Sequence, residues 1–79
     1  MSSEEYDFSK LTAAVWIITE PGILWWQGTS IDIICDFSGP PLYYIRYNGK
    51  AMAVSYDLNM AKMIAMRLSA DMIKMGMEP

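Results

Sequence analysis

Asp32 and Asp36 are the first residues to weigh as catalysts, because two carboxylates flanking one bond can serve as acid and base. They lie in "IDIICDF", residues 31 to 37, whose alternation of apolar and acidic residues reads as a strand. Four residues along a strand span about 13 Å, too far for one carboxylate to assist the other. The pair therefore reads as solubilising charge. Cys35 stands beside them, but a thiol nucleophile needs an activating base, usually histidine, and the chain has no histidine. As the only cysteine it forms no internal disulfide and reads as a small buried hydrophobe. The same shortage excludes a zinc site, which needs a cluster of histidine and cysteine. "SGPP", residues 38 to 41, lacks the repeated glycines and the helix start of a phosphate cradle. Tyr43, Tyr44, Arg46, Tyr47 and Lys50 could stack nucleobases. A net charge of −3 supplies no electrostatic funnel for a nucleic-acid backbone, so nucleic acid is disfavoured as a partner. These residue types point away from an enzyme. They call for no metal and no cofactor.

Composition points to a surface that binds. The 79 residues make one small domain spanning 1–79, and a domain of this size buries only about 60% of its unfolded surface. Hydrophobic residues make up 53% and charged residues 19%, against about 25% charged in ordinary domains. Apolar side chains must therefore appear on the outside. No apolar run approaches the length of a membrane span, so no membrane is expected. The acidic start "MSSEEYDF" lacks the basic and apolar regions of a secretory signal, and the expected location is cytoplasmic.

Turn signals divide the middle of the chain into short apolar runs. "TAAVWIITE" (12–20), "ILWWQ" (23–27), "IDIICDF" (31–37), "LYYIRY" (42–47) and "KAMAVSY" (50–56) read as strands. Pro21-Gly22 and Asn48-Gly49 mark tight turns, the second being the strongest hairpin signal. From Asp57 to Gly76 the pattern becomes helical, with Asp57 as N-cap and Gly76 as the terminating glycine. Leu58, Ala61, Ile64, Ala65, Leu68, Met72 and Met75 form one stripe, while Met60, Met63, Met66 and Ile73 fall outside it. Ser2-Ser3-Glu4-Glu5 fits a capping box, which allows a short N-terminal helical turn anchored by Tyr6, Phe8 and Leu11. The expected fold is α+β: an antiparallel meander of four or five strands with the C-terminal helix packed on one face.

"GILWWQG", residues 22 to 28, then poses a packing question. Adjacent side chains of a strand point to opposite faces, so one helix cannot cover both Trp25 and Trp26. Two-residue loops at both hairpins place Val15, Ile17, Leu24, Trp26, Ile31, Ile33, Cys35, Ile45, Met52 and Val54 under the helix. The opposite face then collects Trp16, Ile18, Trp25, Ile34, Tyr44 and Arg46, with Asp32 and Asp36 at intervals. A slip of one residue in either hairpin would exchange these assignments. An aromatic patch of this kind usually marks an interaction surface, and tryptophan, tyrosine and arginine dominate interface energetics. Trp16, Ile18, Trp25, Ile34, Tyr44 and Arg46 are thus the candidate partner-binding residues, and self-association into a dimer is expected of the same face; the alternative is that the N-terminal segment folds over this face and buries it.

In size, layout and composition the chain resembles the small phage-encoded inhibitors of bacterial defence, including anti-CRISPR proteins. "YYIRYNGKAMAVSYDLNMAKMIAMRLSADMIK" is similar to the hairpin-then-helix ending of several small phage proteins. The resemblance implies a non-enzymatic module that binds a large host complex and blocks it sterically, acting in the host cytoplasm. It carries over no functional residue. The alternatives are an oligomer that sequesters a nucleotide-like ligand on its aromatic face, and a structural subunit of a larger assembly.

Overall fold

The computed structural model describes residues 14–79. Five strands form one antiparallel meander in the order β1-β2-β3-β4-β5: β1 Trp16–Glu20, β2 Ile23–Trp26, β3 Ile31–Asp36, β4 Leu42–Tyr47 and β5 Lys50–Ser55. One helix follows, α1, Leu58–Lys74. It packs on β3, β4 and β5. The α+β layout and its meander order are those expected from the sequence. Tyr6, Phe8 and Leu11, the expected anchors of an N-terminal turn, lie outside the described residues, as does the Ser2–Glu5 capping box.

Local chemistry explains the helix ends. The Asp57 carboxylate accepts a hydrogen bond from the Met60 N–H at 2.9 Å and so caps the first turn. At the other end Gly76 takes φ +76°. Its N–H donates to Ile73 O at 3.0 Å, and the Met77 N–H donates to Met72 O at 2.8 Å, the pair of bonds that defines a Schellman ending. The turn swings Met75 out of the expected stripe to 67% exposure. Ser69 and Ala70 are buried on the helix instead, and Met66 packs against the core rather than standing outside it. Beyond the turn the chain returns to the sheet, where Ser30 N–H donates to Pro79 O and the Tyr47 hydroxyl donates to Glu78 O.

The core joins Trp26, Ile31, Ile33 and Ile45 of the sheet to Ala61 and Ala65 of the helix. Small residues at 61 and 65 let α1 lie close to the sheet, and Ile31, Ile33 and Ile45 become fully buried. Leu24, Cys35 and Tyr43 pack around this centre. On β2, β3 and β4 the inner residues are those expected.

Both expected hairpins carry a β-bulge, and each bulge inverts part of an edge strand. In β1 the partners run Glu20 with Ile23, then Ile18 with Leu24, Ile17 with Trp25 and Trp16 with Trp26, so Thr19 is the extra residue. Proline holds φ near −65°, and Gly22 has φ +82°, the signs of a type II turn. A type II turn does not match the right-handed twist of a two-residue hairpin, and a bulge supplies the missing twist. The consequence is a correction: Trp16 and Ile18 belong to the helix-bearing face, and Ile17 to the opposite one. Trp16 stacks on Trp26 with ring centroids 5.6 Å apart. Val15, also expected under the helix, is 52% exposed.

The second bulge lies at Met52. Asn48 and Gly49 both take positive φ, and Tyr47 pairs with Lys50 and Arg46 with Ala51 as a type I′ turn requires. Ile45 then pairs with Ala53 and Tyr44 with Val54, which leaves Met52 unpaired. Ala53 rather than Met52 faces the helix, and this spares the inner layer an overpacked methionine. Met52 and Val54, expected in the core, are each 50% exposed.

Candidate partner-binding face

The ladder register aligns the outer side chains in two rows. One runs Ile17, Trp25, Asp32, Arg46, Ala51, and the other Glu20, Ile23, Ile34, Tyr44, Val54. In the second row four apolar residues stand side by side across four strands. Among the described residues no element packs over these rows, since α1 lies on the other side of the sheet. Four of the six residues expected at a partner site, Trp25, Ile34, Tyr44 and Arg46, come together here. Trp16 and Ile18 do not, for the reason given by the Thr19 bulge. Sequence reasoning missed Ile17, Ile23 and Val54. The proline of the first turn was the available signal for Ile17, because a residue locked at negative φ cannot open a type I′ or II′ turn.

The polar atoms of this face are already engaged within the chain. Arg46 and Asp32 are direct cross-strand partners. Arg46 Nε donates to Asp32 Oδ1 at 2.8 Å, and its terminal nitrogen donates to Asp32 Oδ2 at 2.6 Å. This planar two-point pair is the strong form of an ion pair, and it leaves the middle of the face without net charge. The hydrogen bonds that Arg46 donates to the Asp32 carboxylate raise the guanidinium pKa above its usual range. Trp25 Nε1 donates to Thr29 O at 2.7 Å. Thr29 is fixed in turn, its hydroxyl donating to Trp26 O and accepting from the Ile31 N–H. The indole is thereby held with only carbon turned outward.

Other sequence candidates disperse. Asp32 is committed to Arg46. Asp36 accepts from the Ser38 N–H and the Ser38 hydroxyl, which keep its carboxyl below the usual range. The two do not form an acid/base pair. Of the aromatic and basic residues that could stack bases, Tyr44 and Arg46 face outward. Tyr43 and Tyr47 point to the helix side, where Tyr43 meets Phe37 edge-on at 6.0 Å. Cys35 is half-buried on the inner face, and burial pushes its thiol pKa up, away from a reactive thiolate.

No protein family, no curated protein and no solved structure matches this chain.

Proposed function

We propose that the chain is a non-enzymatic binding module that blocks a protein partner with the outer face of its sheet, in the manner of the small phage-encoded inhibitors it resembles. The observation that carries this reading is the apolar row Ile23, Ile34, Tyr44, Val54 beside Trp25 and a self-neutralised Asp32–Arg46 pair. Such a face offers large area at low polar desolvation cost, as a protein interface centre requires. It is a sheet surface, whereas small-molecule sites are concave. Its one arginine is spent on Asp32, which leaves little to attract a phosphate backbone. Trp25 and Tyr44 are the anchors, and truncating a true anchor costs about 2 kcal/mol or more, roughly thirtyfold in affinity.

The test uses capture from bacterial lysate followed by titration of the captured protein. Trp25→Ala and Tyr44→Ala should each abolish capture while circular dichroism stays native. Lys62→Ala and Lys74→Ala, on the helix, should leave it unchanged. Native affinity in folded Trp25→Ala and Tyr44→Ala would end the proposal. The neutral centre of the face also suits pairing with a second copy about a two-fold axis. Light scattering at micromolar concentration distinguishes that use, because dimers would then disappear with the same two substitutions.

A further inference from the structure

The turn between β2 and β3 is built around one hydroxyl. The β2–β3 ladder ends at the Trp25–Asp32 pair, so Ile31 has no ladder partner on β2. Gly28 takes φ +87°, and the Thr29 N–H donates to Trp26 O at 3.1 Å, which places glycine where a type II turn requires it. The Thr29 hydroxyl donates to the same Trp26 O at 2.9 Å and accepts from the Ile31 N–H at 3.0 Å. The second bond satisfies the main chain of a fully buried residue. A hydroxyl can do both, because it donates and accepts through one atom.

This turn holds the Thr29 carbonyl against the indole of Trp25, whose Nε1 donates to it at 2.7 Å. A competing acceptor stands beside the same indole, since Asp32 is the direct partner of Trp25 on β3. Arg46 donates to both oxygens of that carboxylate, and the indole bonds to the turn instead. The ring is thus oriented before anything docks on it. A side chain that is mobile until it is bound loses affinity by the freedom removed on binding.

We infer that Thr29 is a positioning residue for the binding anchor Trp25, its hydroxyl setting the turn whose carbonyl holds the indole ready for a partner. The inference rests on the proposed reading of the outer face and adds to it a residue that acts through the anchor. It also defines what the partner brings to this spot. The indole N–H is spent within the chain, so Trp25 is met by apolar carbon rather than by a hydrogen-bond acceptor.

The test uses full chains with native circular dichroism: wild type, Thr29→Val, Thr29→Ser, Trp25→Phe, and Thr29→Val combined with Trp25→Phe. Valine keeps the shape of threonine without its hydroxyl, and serine restores the hydroxyl. Phenylalanine keeps an apolar ring with no N–H to hold, so Trp25→Phe should lose far less binding than Trp25→Ala. In the free protein, the order parameter of the Trp25 indole N–H is measured by nitrogen relaxation. It should lie near the rigid value of about 0.85 in wild type and fall below about 0.6 in Thr29→Val. Thr29→Ser should restore it. Affinity is read by titrating the protein that the wild-type chain captures from bacterial lysate, after its purification. Thr29→Val should weaken binding about two- to tenfold, and Thr29→Ser should recover most of the loss. In the Trp25→Phe background Thr29→Val should change nothing, because coupling between two residues vanishes with the interaction that carries it.

An indole as ordered in Thr29→Val as in wild type overturns the inference with no partner present. An equal loss of affinity in both backgrounds overturns it too, since Thr29 would then act as a direct contact or through the fold. Should Thr29→Val fail to fold, the wild-type value remains decisive, because an order parameter below about 0.6 would mean that the indole is not held. Lost binding in Trp25→Ala with wild-type affinity in Thr29→Val would remove only the role of Thr29. Wild-type affinity in folded Trp25→Ala would remove the outer-face reading itself.

Discussion

Trp25 and Trp26 are neighbours in sequence with opposite energetic roles, and replacing each by alanine separates them. Trp26 is 7% exposed, lies against Trp16 and belongs to the central cluster with Ile31, Ala61 and Ala65. Alanine there removes a buried indole and leaves a cavity, at a cost of about 3–5 kcal/mol. A chain of this length has about 4–12 kcal/mol of stability in total, so the loss consumes much or all of it. At about 4–8 °C per kcal/mol for a domain this small, Tm should fall by roughly 12–40 °C. Trp25 is half-buried and open on its outer side. Alanine there loses the hydrogen bond to Thr29 O, whose carbonyl water can satisfy in the turn, for a net cost of about 1 kcal/mol. Thermal melts by circular dichroism, with urea titrations to check for unchanged m-values, measure both. Should Trp26→Ala fail to fold, Trp26→Phe and Trp25→Phe give the same ranking on a smaller scale. A Trp25 variant that melts at or below its Trp26 counterpart would refute the assignment of faces.

Four further substitutions test the first turn and the helix cap. Gly22→Ala should destabilise by about 1–2 kcal/mol from its left-handed φ alone, with more added because the new Cβ meets Cys35 O at 3.3 Å. Gly39→Ala, with no atom within 4 Å of its Cβ position, should be close to neutral in the same urea titration. Asp57→Ala should cost about 1 kcal/mol through loss of the helix cap, and Asp57→Ser should recover most of it. An Asp57→Ala midpoint equal to wild type would mean that packing alone fixes the start of the helix.

The central strands were legible because their signals are redundant. Ile31, Ile33 and Cys35 alternate with Asp32, Ile34 and Asp36, and β4 follows from β3 by direct pairing. Asp57 and Gly76 bounded the helix to within two residues of its observed ends. The edge strands were less legible because a single unpaired residue inverts everything beyond it. Thr19 and Met52 carry no marker of their own: neither is a glycine, and threonine has good strand propensity. Only Pro21 announced a difficulty, by excluding both primed turns. At Met52 the decisive factor is tertiary. Ala53, not Met52, stands beside Ile45 under the helix, and that choice is invisible until α1 is in place. Ser69 was missed for a related reason, since a hydroxyl at a core position breaks an apolar pattern without breaking the packing.

The bulges also decide how the two faces can work. With Thr19 paired regularly, Trp16 would stand beside Trp25 on the outer face, with its indole N–H there to direct a partner. With Thr19 bulged, Trp16 joins Trp26 inside, and Ile17 takes its place outside. The outer face is left with aliphatic residues, a tyrosine, an indole whose N–H is engaged, an ion pair that cancels itself and Glu20 at the end of one row. Its attraction for a partner must then be mainly apolar burial. Ions excluded from protein surfaces, such as sulfate, strengthen apolar burial. Raising ionic strength should therefore leave a partner of the outer face engaged. A partner released from the wild-type protein by sodium chloride at a few tenths molar would contradict this reading, since screening weakens charge attraction and spares apolar burial.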